Sequence, residues 1–272
     1  MRHLIGCAAA VVFLAIPSLA QQNATAAATS AVRTTNGHPD LSGIWQYSVL
    51  TPGGGVRKSE ANGAVEVKQM DLSGRMPAKV AVPGALPSTP TPSYKPELQA
   101  KVKSLFDNEA KLDTVFFCGR PGVPRLGPPR QIIQQPNEMI FLYEDMSGDP
   151  YRIVPTDGRP HRADADPTYN GDAVGHWEGD TLVVEATNFV DDTWFGENGY
   201  FHSPAMRVVE RLWRVGDNLA YQVTVDDPNV LTQPWTQAAR LIKPSDDVPQ
   251  ESPACVEDDS KRMLNLDHHA QR

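Results

Sequence analysis

The sequence predicts an all-β protein, a single antiparallel barrel or strongly curved sheet carrying one helix and long loops. Three observations lead there. Short runs rich in Val, Ile, Leu, Tyr and Thr recur from Val115 onward, each closed by Gly, Pro, Asn or Asp, which is the rhythm of an antiparallel meander. Glu178-Gly179-Asp180 and Gly216-Asp217-Asn218 have the composition of tight hairpin connections. No βαβ alternation and no GxGxxG occurs, which argues against a dinucleotide-binding domain, and no repeat of propeller length is visible.

Taken in order, the chain opens with an export signal over residues 1–20. Arg2 and His3 precede an uncharged apolar core, Leu4 to Ile16, and Pro17-Ser18-Leu19-Ala20 ends in the small-x-small pattern cut by signal peptidase. That core is too short for a bilayer, which needs roughly 20 helical residues, and no later segment is apolar enough to cross one. Residues 21–36, rich in Ala, Thr, Gln and Asn, read as a flexible tether. A single β-rich domain is expected over 37–272, with folded structure starting near His38. Residues 51–96 are dominated by Gly, Pro, Ser and Ala and read as a long surface excursion.

Tyr94 to Leu112 is the helix. Pro96 suits a first helical turn, and Leu98, Val102, Leu105 and Phe106 share one face. Strands are expected at Ile132-Ile133, Met139 to Tyr143, Tyr151 to Val154, Thr181 to Thr187, Met206 to Trp213, Leu219 to Val225 and Ala238 to Ile242. In two of them the alternation is clear. Leu182, Val184 and Ala186 form one face against Val183, Glu185 and Thr187. Leu219, Tyr221, Val223 and Val225 oppose Ala220, Gln222 and Thr224. The apolar faces pack inward, and the semi-polar faces meet water or a barrel lumen.

Charge and cysteine usage narrow the partners. The formal net charge is −8, and loss of Arg2 with the signal makes it one unit more negative. An acidic chain without a Lys/Arg patch is poorly suited to nucleic acid or an anionic membrane. Cys118 and Cys255 remain after the signal. In an oxidising compartment such a pair is either a disulfide or two buried thiols. No Cys/His spacing suggests structural zinc. The expected location is periplasmic or secreted, without stable membrane insertion.

Asp40-Leu41-Ser42-Gly43-Ile44-Trp45 resembles the G-x-W entry into the first strand of lipocalin-like (calycin) barrels. That resemblance implies a Trp plugging one barrel end, with a basic residue of a late strand across it, and Arg240 matches by position. The excursion after the first strand departs from a compact lipocalin. The chain also resembles a broad family of secreted bacterial proteins of uncharacterised function. The shared texture is PDLSGIW, CGRPGVPR, DGRPH, GHWEGDTLVVEATNF, TWFGENGYFHS and VVERLWR, spanning most of residues 38–235. This implies an exported β-rich domain and no mechanism.

Chemistry concentrates between Asp157 and Arg214. His161, His176 and His202 lie there with Asp191 and Glu210, among Trp177, Trp194 and Trp213. His161, in a Gly-Arg-Pro turn, is either a general base or a surface histidine. His176 is either a strand-end residue aimed into a cavity or a structural histidine. His202 follows Tyr200 in an aromatic loop, which lines a ligand site or packs locally. Asp191, near Trp194, is a general acid raised by desolvation or a turn cap. Glu210, mid-strand among apolar neighbours, calls for a cationic partner, and Arg207, Arg211 and Arg130 are the candidates. Trp177, Trp194, Tyr200, Arg207 and Arg130 are the expected substrate contacts. Asp166 and Asp172 read as turn residues. The histidines are 15 and then 26 residues apart, with no HxH or HExxH, so neither a metal nor another cofactor is expected. No GxSxG is present.

The leading functional expectation is an exported enzyme using His and carboxylate groups in acid–base catalysis, as a lyase, isomerase or hydrolase on a small organic or glycosidic substrate. Two alternatives stand beside it. One is a non-catalytic, lipocalin-like small-molecule binder. The other is an envelope interaction protein using the Pro-rich excursion. The sequence does not set the oligomeric state.

Overall fold

The structure, a computed structural model, describes residues 32–46, 56–59, 65–68, 89–145, 147–253 and 255–256. The signal segment and most of the expected tether lie outside them, as do the larger parts of the excursion. Two sheets dominate, both antiparallel. The first has strand order β1 (Gly43–Ile44), β4 (Gln131–Gln134), β5 (Glu138–Leu142), β6 (Tyr151–Pro155). The second runs β11 (Trp235–Thr236), β10 (Asn218–Asp226), β9 (Arg207–Val215), β8 (Thr181–Thr187), β7 (Asp172–Glu178), and β12 (Arg240–Ile242) pairs with β10 as well. Within the excursion, β2 (Val56–Ser59) and β3 (Val65–Lys68) pair as a hairpin.

The two sheets meet at both edges, in different ways. Beyond β1, Trp45 bridges Pro244, with the Gln46 N–H donating to the Lys243 carbonyl at 2.9 Å and the Ser245 N–H to the Ile44 carbonyl at 2.9 Å. At the other side β6 lies beside β7 without strand pairing. Gly175 makes that approach possible, since a Cβ there would sit 3.0 Å from Thr156 Cγ2 and 3.2 Å from Val154 Cγ1. The result is a strongly curved β structure that pairing among the described residues does not close into a barrel.

Alternation sorts the side chains as expected. Across β7–β10 the inward rows are Ala173, Ala186, Val208, Val225; Gly175, Val184, Glu210, Val223; and Trp177, Leu182, Leu212, Tyr221. From the first sheet come Ile132, Met139, Phe141, Arg152 and Val154, all buried, while Tyr151, Ile153 and Ile133 face outward. One hydrophobic cluster runs through both sheets. Each fully buried Leu, Phe or Val adds about 1.5–3 kcal/mol relative to exposure.

Four local findings depart from or refine the sequence reading. β7 is not among the strands expected from the sequence, which reads Asp172 as a turn residue and His176 at most as a strand end; pairing with β8 across a two-residue hairpin makes it a strand. The helix starts as a 3₁₀ turn at Pro96–Leu98, continues as α1 (Gln99–Asp107), breaks at Asn108 and ends with α2 (Glu109–Leu112). Its expected face holds, with Leu98, Val102 and Leu105 packed on the core. Within the stretch read as tether, Arg33 bridges Pro39 and pairs with Asp180 at 2.8 Å. Residues 89–95, the end of the excursion, run along 230–238, where Tyr94 bridges Leu231 and the Trp235 indole donates to the Pro90 carbonyl.

Cys118 and Cys255 form a disulfide, with Cα atoms 5.5 Å apart and 137 residues of separation. Beside it the 113–130 segment, mostly buried from Pro121 onward, is held by Arg125, which donates from both Nη atoms to Asp113 at 2.9 and 2.6 Å. Among the described residues, no helix is long and apolar enough to cross a membrane.

Candidate functional site

The expected catalytic groups do not converge; they occupy four separate places. His161 lies at the outer surface. Its Nδ1 is 3.0 Å from Asp172 Oδ2 and its Nε2 is 3.4 Å from Glu185 Oε1. Arg162 clamps the same Asp172 through its backbone N–H and Nε, and Arg207 pairs with Glu185. Burial works against the charge on Asp172, but Arg162 and His161 outweigh it and hold the carboxyl below its ordinary value. For Glu185 the hydrogen bond from Arg207 is the main cause of the same shift. Asp172 is therefore a strand-leading anchor and not merely a turn residue.

His176 points outward from β7, is exposed and sits 3.3 Å from Glu178, which pairs with Arg211. The cavity-facing reading fails because strand alternation gives the inward places to Gly175 and Trp177. His202 is buried and fully used. Its Nδ1 is 3.0 Å from the Ser203 carbonyl, so Nδ1 carries the proton and Nε2 accepts from the Thr193 hydroxyl at 3.0 Å. Burial lowers its pKa. Asp191 is exposed in the neighbouring loop.

Glu210 sits on the inner face of β9 with 1% exposure. Its partner is none of the three arginines expected from the sequence. Arg152 reaches across from β6 and places Nη1 2.6 Å from Glu210 Oε2, and the Tyr221 hydroxyl donates to Oε1 at 2.7 Å. Tyr143 accepts from the same Nη1 at 3.1 Å. Burial disfavours the charge on Arg152, but Glu210 and Tyr143 outweigh it and keep the guanidinium above its ordinary pKa. Burial pushes Tyr143 up to about 12. Arg130 serves elsewhere, bound to Glu144, the Trp45 carbonyl and the Asp247 carbonyl. Arg207 and Arg211 lie on the outer face with Glu185 and Glu178.

The remaining expected contacts divide in two. Trp177 stacks on His38 with ring centres 4.4 Å apart, and Trp194 is buried core. Tyr200 alone faces a cleft. It lies between the 91–94 strap, α1 and the 198–200 loop, encloses about 650 Å³ and is lined by Tyr94, Gln99, Val102, Phe106, Asn198 and Tyr200 among others. Gly199, at φ +75°, lets the loop touch α1, since a Cβ would lie 2.6 Å from the Val102 carbonyl oxygen. Tyr94 anchors the wall, donating its hydroxyl to the Phe201 carbonyl and packing against Phe195, Tyr200 and Phe201. Burial raises the Tyr200 pKa, so its hydroxyl is neutral.

Strand alternation places Tyr221 on an inward face without linking it to Glu210, and Arg152 and Tyr143 go unremarked in sequence because nothing local distinguishes a strand Arg or Tyr that turns inward. The alternation of Arg152 with buried Val154 is the one available signal. At the other end of β9, the Arg214 guanidinium lies 4.9 Å over the Trp45 ring. Burial lowers Arg240 to about 10, with Tyr221 opposing. Among the described residues no group of His, Cys, Asp or Glu is arranged to hold a metal. No family model, curated protein or solved structure matches the chain.

Proposed function

We propose that this chain is an exported small-molecule binding protein whose ligand lies in the cleft between α1 and the 198–200 loop. The observation that carries the reading is the division of labour among polar groups. The cleft has the size of a ligand site, roughly 300–1,000 Å³, and offers aromatic walls with neutral donors and acceptors from Gln99, Asn198 and Tyr200. The titratable groups expected to do chemistry are engaged elsewhere. An amphipathic molecule with an aromatic or glycosidic ring suits such a lining. The disulfide supports an oxidising location. The Trp45–Pro244 bridge and the β6–β7 packing support a lipocalin-like barrel as the scaffold.

The test is ligand-detected NMR with phenyl β-glucoside. Gln99→Trp, at an exposed helical position, fills the cleft and is expected to weaken binding at least tenfold, while His161→Ala leaves it unchanged. Binding indifferent to Gln99→Trp places the seat elsewhere.

One observation favours a catalytic second reading. His161 has a carboxylate on Nδ1 and Nε2 facing a second carboxylate, an arrangement in which Asp172 orients an acid–base imidazole. Under that reading His161→Ala abolishes turnover of an identified substrate and Asp172→Asn reduces it, with His202→Asn neutral.

A further inference from the structure

Inside the curved sheets, one arginine is left half-used. Arg152 has a side-chain exposure of 3%. Its Nη1 lies against Glu210 and donates to Tyr143, yet Nε and Nη2 are buried with no hydrogen-bond partner among the described residues. These two atoms are the side-on edge of the guanidinium, a pair of parallel N–H donors spaced to match the two oxygens of a carboxylate. A buried donor on a charged group is costly to leave unmade, and native interiors rarely do so without a reason. Arg130, equally buried, gives Nε, Nη1 and Nη2 each an acceptor. Arg125 gives both Nη atoms to one carboxylate.

We infer that the free edge of Arg152 is a second ligand site, independent of the α1 cleft, that takes a small organic carboxylate into the interior. Glu210 does not fill this role: its Oε2 lies 2.6 Å from Nη1 without a hydrogen bond, and its Oε1 is held by the Tyr221 hydroxyl. The surroundings suit an apolar carbon body. Phe141 lies directly across the register from Arg152, and Val154, Val184 and Val223 face the same interior. Glu210 beside the fork disfavours a dianion, which makes a monocarboxylate the fitting charge. Arg152 stands on β6, which among the described residues pairs only with β5, while β7 pairs there only with β8. Entry along that seam therefore breaks no strand ladder.

The experiment uses the full chain, unfolded and refolded in carboxylate-free buffer, with sodium benzoate as the probe and sodium chloride, benzamide and inorganic phosphate as controls. Titration calorimetry and Tm are the readouts. Benzoate is expected to bind and raise Tm, and benzamide is not. Arg152→Lys keeps the charge but removes the fork, and weakens benzoate at least tenfold; Gln99→Trp leaves it unchanged, which separates this site from the cleft. Glu210→Gln removes the neighbouring carboxylate and is expected to make the benzoate-induced rise in Tm larger than in the unsubstituted chain. Three results overturn the inference. They are no difference between benzoate and chloride in the unsubstituted chain, which would assign the edge to water, tighter binding of phosphate than of benzoate, or a benzoate response unaltered by both Arg152→Lys and Glu210→Gln.

Discussion

Arg125 and Arg152 each meet a carboxylate inside the protein, and the two meetings are built differently. Arg125 closes on Asp113 with two parallel hydrogen bonds, and Asp113 also accepts from the Val115 N–H at the start of a 3₁₀ turn. That pair joins residues 12 apart in a segment whose fold has no regular sheet to hold it. Arg152 meets Glu210 from the opposite sheet through one nitrogen, with a phenol on either side and an edge left over. The lesson is that burial alone does not define an ion pair's role. A closed pair fixes a loop, whereas an open one fixes two sheets and keeps donors in reserve.

The closed pair is where disruption costs most. Asp113→Ala strands a buried guanidinium and a turn N–H, and is expected to cost about 3–5 kcal/mol in urea unfolding. Replacing Cys118 and Cys255 by Ser frees the same segment from the C-terminal stretch. A bond across 137 residues is near the upper end of disulfide stabilisation, so a loss of about 2–5 kcal/mol is expected by the same measurement. The contrast sharpens with double apolar replacements. Arg152→Met with Glu210→Leu, made in a Tyr143→Phe, Tyr221→Phe background so that neither phenol is stranded, removes both charges together and is expected to lie within about 1 kcal/mol of that background. Arg125→Met with Asp113→Leu is expected to be clearly worse, since the Val115 N–H stays unmatched. Equal costs for the two doubles would erase the distinction drawn between the pairs.

The smallest effect separates both pairs from the buried His202. Burial lowers its folded pKa below the unfolded value of about 6.5, so on acidification the unfolded chain takes up a proton that the folded chain refuses. Its contribution is complete above about pH 6.5 and declines as pH falls toward the folded pKa, with a slope of at most about 1.4 kcal/mol per pH unit. Asp172 and Glu185 have depressed values and lose their contributions lower, as pH drops below about 4. Thermal unfolding between pH 7 and pH 5 should therefore flatten in His202→Asn, while the decline below about pH 4 persists.

Much of the scaffold was legible because strand alternation is a local property. The faces of β8 and β10, both hairpins and the apolar side of α1 could be read directly. β7 could not, since Gly175 is explained only by its neighbours on β6. Glu210 was readable as a carboxylate in need of a cation, but its partner comes from another sheet across a seam, where sequence distance gives no guidance. The histidines fell apart as a site for an equally simple reason. A one-residue step along β7 exchanges inside for outside at His176, and at His202 the nearest hydroxyl and carbonyl had already taken both nitrogens.

The link between Cys118 and Cys255 also decides how this chain carries tension. All strands from β4 to β12 lie between those two residues. A pull on the two ends passes through the sulfur bond and skips them. Under oxidising conditions a single-molecule stretching trace would lengthen only by the residues outside the ring. Strands β4 to β12 would stay folded at forces that reduction of one bond would make sufficient to unravel them.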